Sequence, residues 1–179
     1  MIVIKLPSTS RQSGFTLIET LVAIVIFSAA LISLMTIASR GIAATAIAQQ
    51  ETTAHYLAQE GLEVARNIRD TNILVPQAWD VGLDQCISPA VCMVVYSQNS
   101  VPSLSVCPQG GCPVYQSLID NSFINGPAGA QINPVFSREI SLVPSGTGNT
   151  EYQVSTKVSW TAKTIPRTVE LQTILKKWR

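Results

Sequence analysis

Residues 20–39 carry no charged side chain, and that run constrains every other reading of the chain. Twenty helical residues rise about 30 Å, enough to cross the hydrocarbon core of a bilayer. Charged residues are only 13% of the whole, and the apolar ones are concentrated near the N-terminus rather than spread through a single core. Lys5 and Arg11 precede the run, with no acidic residue before Glu19. This asymmetry predicts a cytoplasmic N-terminus and an exported remainder. Arg40 follows the run, but Glu51 and a mixed-charge segment come after it. A formal net charge of +1 supplies no global field directed at nucleic acid or anionic lipid.

The helical pattern outlasts the membrane-length segment. Between residues 43 and 70 there is no proline, and Ala54, Leu57, Ala58, Gly61, Leu62, Ala65 and Ile68 recur at three- and four-residue steps. They form one apolar stripe, with Glu60, Glu63, Arg66 and Arg69 read as lying mostly away from it. The expectation is one helix over residues 15–70, apolar all round in its first half and amphipathic in its second. Gly41 and Gly61 read as weak points, each costing about 1 kcal/mol relative to alanine.

Further on, the composition shifts to Pro, Gly, Asn and Ser. Residues 91–96 and 113–117 are read as short strands, and Asn125-Gly126-Pro127 as a turn. Tyr152, Val154, Thr156, Val158 and Trp160 then alternate with polar residues, the period of a half-buried strand. Phe136, Ile140 and Leu142 share a phase before it, interrupted by Arg138; Val169, Leu171 and Leu175 share one after it. Turns are expected at residues 145–149 and 162–166. The fold class expected is therefore α+β, a three-stranded antiparallel meander covering the amphipathic half of a long helix.

Cys86, Cys92, Cys107 and Cys112 all fall in the part expected to be exported, where disulfides form and persist. Four cysteines allow three connectivities, and nearest-neighbour pairing is the first choice. Zinc is the rival, but neither pair has the Cys-x-x-Cys form, and His55 lies far off in the helix. His55 reads as an ordinary surface or packing histidine, so no metal site is expected. No nucleophile with a base, no paired loop carboxylates and no phosphate cradle stand out, and Gly110, Gly111, Gly146 and Gly148 precede no helix. Neither catalysis nor a cofactor is expected. Lys176, Lys177 and Arg179 read as a solvated terminus, leaving nucleic-acid contact as an alternative.

The boundary sequence is Arg11-Gln12-Ser13-Gly14-Phe15-Thr16-Leu17-Ile18-Glu19-Thr20-Leu21-Val22. It resembles the class III signal of type IV prepilins and type II secretion pseudopilins, a basic leader ending in Gly before Phe-Thr-Leu-Ile-Glu and an apolar helix. The later Leu-Ala-Gln-Glu-Gly-Leu-Glu stretch looks more like minor subunits than major pilins. The resemblance implies that prepilin peptidase cuts between Gly14 and Phe15 and methylates the new Phe15 amine. It also implies that Glu19 pairs with that amine during assembly. Glycine suits a scissile position because no side chain blocks a protease, and a carboxylate inside an apolar helix is a functional candidate by default. Pilins often carry a proline partway along this helix; residues 15–39 have none, which puts a kink or melted segment there in doubt.

Four segments follow from this reading: a leader (1–14), a membrane and assembly helix (15–39), an amphipathic half-helix (40–70), and an exported, disulfide-bonded, β-rich domain (71–179). The partners implied are prepilin peptidase, other pilins or pseudopilins, and an inner-membrane assembly platform with its ATPase. The membrane holds the subunit before it joins a periplasmic or extracellular filament. Alternatives are a bitopic membrane protein whose exported domain binds a ligand, an adhesive or DNA-uptake pilus subunit, and a conventional signal peptide cut near Ala44-Thr45-Ala46. The length of the apolar run, and its unbroken passage into an amphipathic helix, argue against the last.

Overall fold

The computed structural model describes residues 14–75, 77–96, 101–109, 111–116, 122–125, 136–146, 148 and 150–177. Residues 1–13 of the expected leader (1–14) lie outside them, as do Ser117 of one expected strand, Gly126 and Pro127 of one expected turn, Gly110, Asn149 and Arg179. Helix α1 spans Leu17–Leu74, and the division between two compact units falls inside it, after Ala46.

The first unit is α1 up to Ala46, with nothing in it fully buried. Its hydroxyls turn back onto the helix. Ser28 donates to the Ile24 carbonyl at 2.7 Å, Thr36 to Ile32 at 2.9 Å and Thr45 to Gly41 at 3.0 Å. Each thereby satisfies its polar group within the helix, as an apolar surrounding requires.

In the second unit, which begins at Ile47, α1 runs four residues past the predicted end at Asp70. The signal for the true end was Pro76, since a proline disfavours helical backbone at the residue before it. Buried Asn72 marks the reversal, its side-chain amide donating to the carbonyls of Trp79 (3.1 Å) and Val81 (2.8 Å). A short 3-10 turn follows at Asp84–Cys86.

Among the described residues, seven antiparallel strands form one sheet: β1 (Cys92–Val95), β2 (Ser103–Val106), β3 (Pro113–Gln116), β4 (Phe123–Asn125), β5 (Phe136–Ser145), β6 (Glu151–Ala162) and β7 (Ile165–Lys176). The expected meander is β5–β6–β7, in uninterrupted register from Phe136↔Trp160 to Ser145↔Glu151 and from Glu151↔Lys176 to Ala162↔Ile165. What the sequence did not place is the other edge of β5, which two hairpins share. β1 pairs with it at Cys92↔Ile140, and β3 at Pro113↔Ser137 and Val114↔Phe136. The two strands read at 91–96 and 113–117 are thus the inner strands of these hairpins.

The inward face of the sheet packs on α1 in two clusters. One gathers Leu62 and Ala65 with Ile140, Leu142, Val154 and Leu175; the other gathers Ala54, Leu57 and Ala58 with Val114, Phe136, Val158 and Trp160. Between them sits Gly61, where a Cβ would lie 2.8 Å from Thr156 Cγ2 and 3.2 Å from Ile140 Cδ1. Gly61 is therefore a point of close approach between helix and sheet, rather than merely a weak point in the helix. Arg138, which looked like an interruption, keeps the inward phase of β5 and is fully buried.

Gly61→Ala is expected to lower stability by about 1 kcal/mol or more despite the helix propensity it gains, because overpacking costs about 1–3 kcal/mol. Gly41→Ala, where a Cβ meets nothing within 4 Å, is expected to be neutral or stabilising. Thermal unfolding of the two variants in the same detergent checks the contrast.

Candidate functional site

The N-terminal site is built from the helix start. Gly14, Phe15 and Thr16 precede the first helical residue, non-helical and exposed. Thr16 caps the helix. Its carbonyl accepts from the amides of Glu19 (3.1 Å) and Thr20 (3.2 Å), and its hydroxyl accepts from Glu19 N–H at 3.4 Å. Thr16-Leu17-Ile18-Glu19 is the Ser/Thr-x-x-Glu pattern of a helix N-terminus, the signal by which the cap could have been found. Glu19 sits in the first turn, where its charge opposes the positive end of the helix dipole. The Gly14–Phe15 peptide bond therefore lies in open backbone just outside the helix, with Glu19 one turn inside.

Beyond Glu19 the surface is apolar and uncovered. Phe15 is 79% exposed and Leu17 87%, and the most apolar eighteen residues of α1, of mean hydropathy 2.6, have none of their number buried. A soluble core helix hides such residues; here none of that window is buried among the described residues.

Residues 9–35 match the prokaryotic N-terminal methylation motif. The chain carries the type IV pilin and pseudopilin signature. No curated protein and no solved structure matches it. The motif implies processing by prepilin peptidase and assembly with other pilins. Together with the long apolar helix it points to a membrane-anchored subunit of pilin type. The α+β layout is pilin-like, one long helix and a small antiparallel sheet.

A second polar constellation lies within the second unit of the chain. Buried Arg138 donates to the Glu60 carboxylate and to the Leu57 carbonyl (3.3 Å), and the Tyr96 hydroxyl donates to Glu60 as well. Glu60 thus turns toward the sheet, correcting its place on the polar side of the helix. Arg69 is also buried, its guanidinium on Asp70 at 2.8 Å. Sequence reasoning missed this group, although a charge at an inward strand position was the signal to look for its partner. Burial, then the hydrogen bond to Glu60, push the Tyr96 phenol up to about 12. Such perturbed groups mark active sites or structural ion pairs. Here Arg138 of β5 reaches both the Leu57 carbonyl and the Glu60 carboxylate of α1, so the arrangement ties helix to sheet.

The other candidates fall as follows. Cys86 bonds Cys92 and Cys107 bonds Cys112, with Cα separations of 5.5 and 5.3 Å, the nearest-neighbour pairing. His55 is exposed on α1, and no cluster of three metal-ligating side chains occurs among the described residues. A groove of about 560 Å³ crosses β3, β5, β6 and β7, lined by Ser137, Ser159, Thr161, Thr168 and Arg167 among others; its hydroxyls have no base beside them in that lining.

Two measurements check the lock. Glu60→Gln, which leaves a buried guanidinium without its carboxylate, is expected to cost about 3 kcal/mol, more than Arg138→Met, which removes the buried charge itself. In alkaline titration one phenol should ionise near pH 12 and vanish in Tyr96→Phe. Its folded value lies above the ordinary value of 10.0, so the stability it contributes is full below about pH 10 and is lost as pH rises through about 12.

Proposed function

We propose that the chain is a non-catalytic structural or priming subunit, a minor pilin or pseudopilin of a type IV pilus or type II secretion pseudopilus. The single observation that carries the reading is the juxtaposition of an exposed Gly14–Phe15 bond, a first-turn Glu19 and an uncovered apolar helix within one matched motif. Cleavage after Gly14 on the cytoplasmic side leaves the helix in the membrane and creates a cationic amine on Phe15. Glu19 of a joining subunit then pairs with the Phe15 amine of its neighbour, which neutralises both charges in an apolar setting and fixes the axial step. Neighbouring helices replace lipid around the same apolar surface, so transfer from bilayer to filament core uncovers nothing to water. Prepilin peptidase, an assembly platform with its ATPase, and other pilins are the partners this role requires.

N-terminal sequencing of the mature protein is expected to begin at N-methylated Phe15. An intact Met1 would assign the chain instead to a bitopic membrane protein that does not polymerise. Glu19→Ala is expected to leave cleavage and membrane anchoring in place while cutting filament incorporation by about tenfold, the loss of roughly 1.4 kcal/mol per contact. Separate assays of secretion, transformation and twitching in that variant identify the machine served.

A further inference from the structure

The two disulfides sit where the two hairpins join β5, and their surroundings differ. Cys92 opens β1 and is the residue that pairs with Ile140 of β5; both Cys86 and Cys92 are fully buried in the cluster with Leu83, Ile140 and Leu142. Cys107 follows β2 directly and Cys112 precedes β3 directly, so their bond ties one hairpin to the other. Cys112 is fully buried, but Cys107 is only half-buried, and Pro108 and Gln109 beside it are exposed.

Among the described residues, the backbone pairing of β3–β4 with the rest of the sheet is short. Two register pairs join β3 to β5. The Cys112 carbonyl, at the root of the hairpin, accepts from Arg138 N–H at 2.9 Å and from the Ser137 hydroxyl at 3.3 Å. Phe123 of β4 meets Phe136 edge-on, with ring centroids 5.8 Å apart. The meander, by contrast, is held by ten and twelve register pairs. Backbone pairing alone therefore holds β3–β4 less firmly than the meander strands hold one another, and the disulfide removes much of the freedom of its root.

From this geometry we infer that Cys107–Cys112 is a solvent-reachable clasp, made and broken by thiol–disulfide exchange independently of the sealed Cys86–Cys92 bond, and that it decides whether β3–β4 docks on β5. The partner is a dithiol–disulfide oxidoreductase acting where the domain resides. In closure, the Cys107 thiolate attacks the oxidant's disulfide, forming a mixed disulfide and expelling one oxidant thiolate. The Cys112 thiolate then attacks the Cys107 sulfur, the intramolecular bond forms, and the second oxidant sulfur leaves. Two electrons pass from the cysteine pair to the oxidant, and the two thiol protons end on its dithiol. Attack enters at Cys107 because it is the half-buried residue of the pair, Cys112 being fully buried. Opening runs the same steps backwards and releases the hairpin that covers Phe136 and bears Val114.

The exported-domain reading enters only in the oxidant's location, so the test reads thiols rather than filaments. Full-length protein in detergent is titrated with dithiothreitol, trapped with an alkylating reagent, and the four cysteines are quantified by peptide mass spectrometry. Cys107 and Cys112 are expected to open at about tenfold lower reductant than Cys86 and Cys92. Hydrogen exchange on the Cys107→Ser/Cys112→Ser variant is expected to show lost protection over 113–116 and 123–125, with 151–176 unchanged. Simultaneous opening of all four cysteines overturns the clasp, as does earlier opening of Cys86–Cys92. Unaltered protection of β3–β4 in the variant overturns it too, and so does loss throughout β6 and β7. None of these outcomes depends on cleavage at Gly14, which N-terminal sequencing tests separately.

Discussion

An apolar helix surface left unburied among the described residues is the constraint on which everything else rests. Water will not tolerate so much exposed hydrocarbon: each large aliphatic side chain left bare forgoes about 1.5–3 kcal/mol relative to burial. The cover must come from lipid or from other helices. On the proposed reading lipid serves first and neighbouring helices second, and the polar elements at the helix start suit that exchange. Thr16 closes the first turn, Glu19 places a single charge just inside it, and the hydroxyls further along satisfy themselves within the helix.

The globular unit solves a different problem, that of holding a small sheet to one helix. Here β5 is the hub, pairing with β6 along its full length and with two hairpins along its other edge. Gly61 lets the helix backbone approach Thr156 and Ile140, and the Arg138–Glu60–Tyr96 group adds a charged tie beside it. A buried ion pair adds little net stability against an apolar replacement, yet it penalises any arrangement that separates the partners. Its role here is to fix where on the sheet the helix sits. The disulfides continue the same theme at the hub's other edge, one sealed in the core and one at the root of a lightly held hairpin.

Legibility in the sequence followed the length of each pattern. The helix and the β5–β6–β7 meander were readable because Leu57, Leu62 and Ala65, or Val154, Val158 and Trp160, repeat one period over many residues. The hairpins were harder: β1 and β3 are four residues each, too short for alternation to declare a face, and their pairing with β5 spans 18 or more residues of chain. Glu60 and Arg69 were misplaced because a helical wheel assumes that charges avoid the core, and a buried partner overrides that assumption. Arg138 was in phase all along. Only the assumption that an arginine must break the pattern concealed it.

What the sequence by itself determined is local: an apolar run long enough for a bilayer, a glycine, a phenylalanine and an acid at its mouth, the periods of helix and strand, and four cysteines placed as two close pairs. Local pattern suffices there because each feature depends on neighbours within a turn or two of chain. The tertiary structure decided what depends on distant residues meeting. It set β5 as the shared edge, made Gly61 the close approach, and turned Glu60 toward Arg138 and Tyr96. It also sealed one disulfide while leaving the other within reach of solvent. Burial and partnership are properties of the packed whole, and no period along a single strand or helix encodes them.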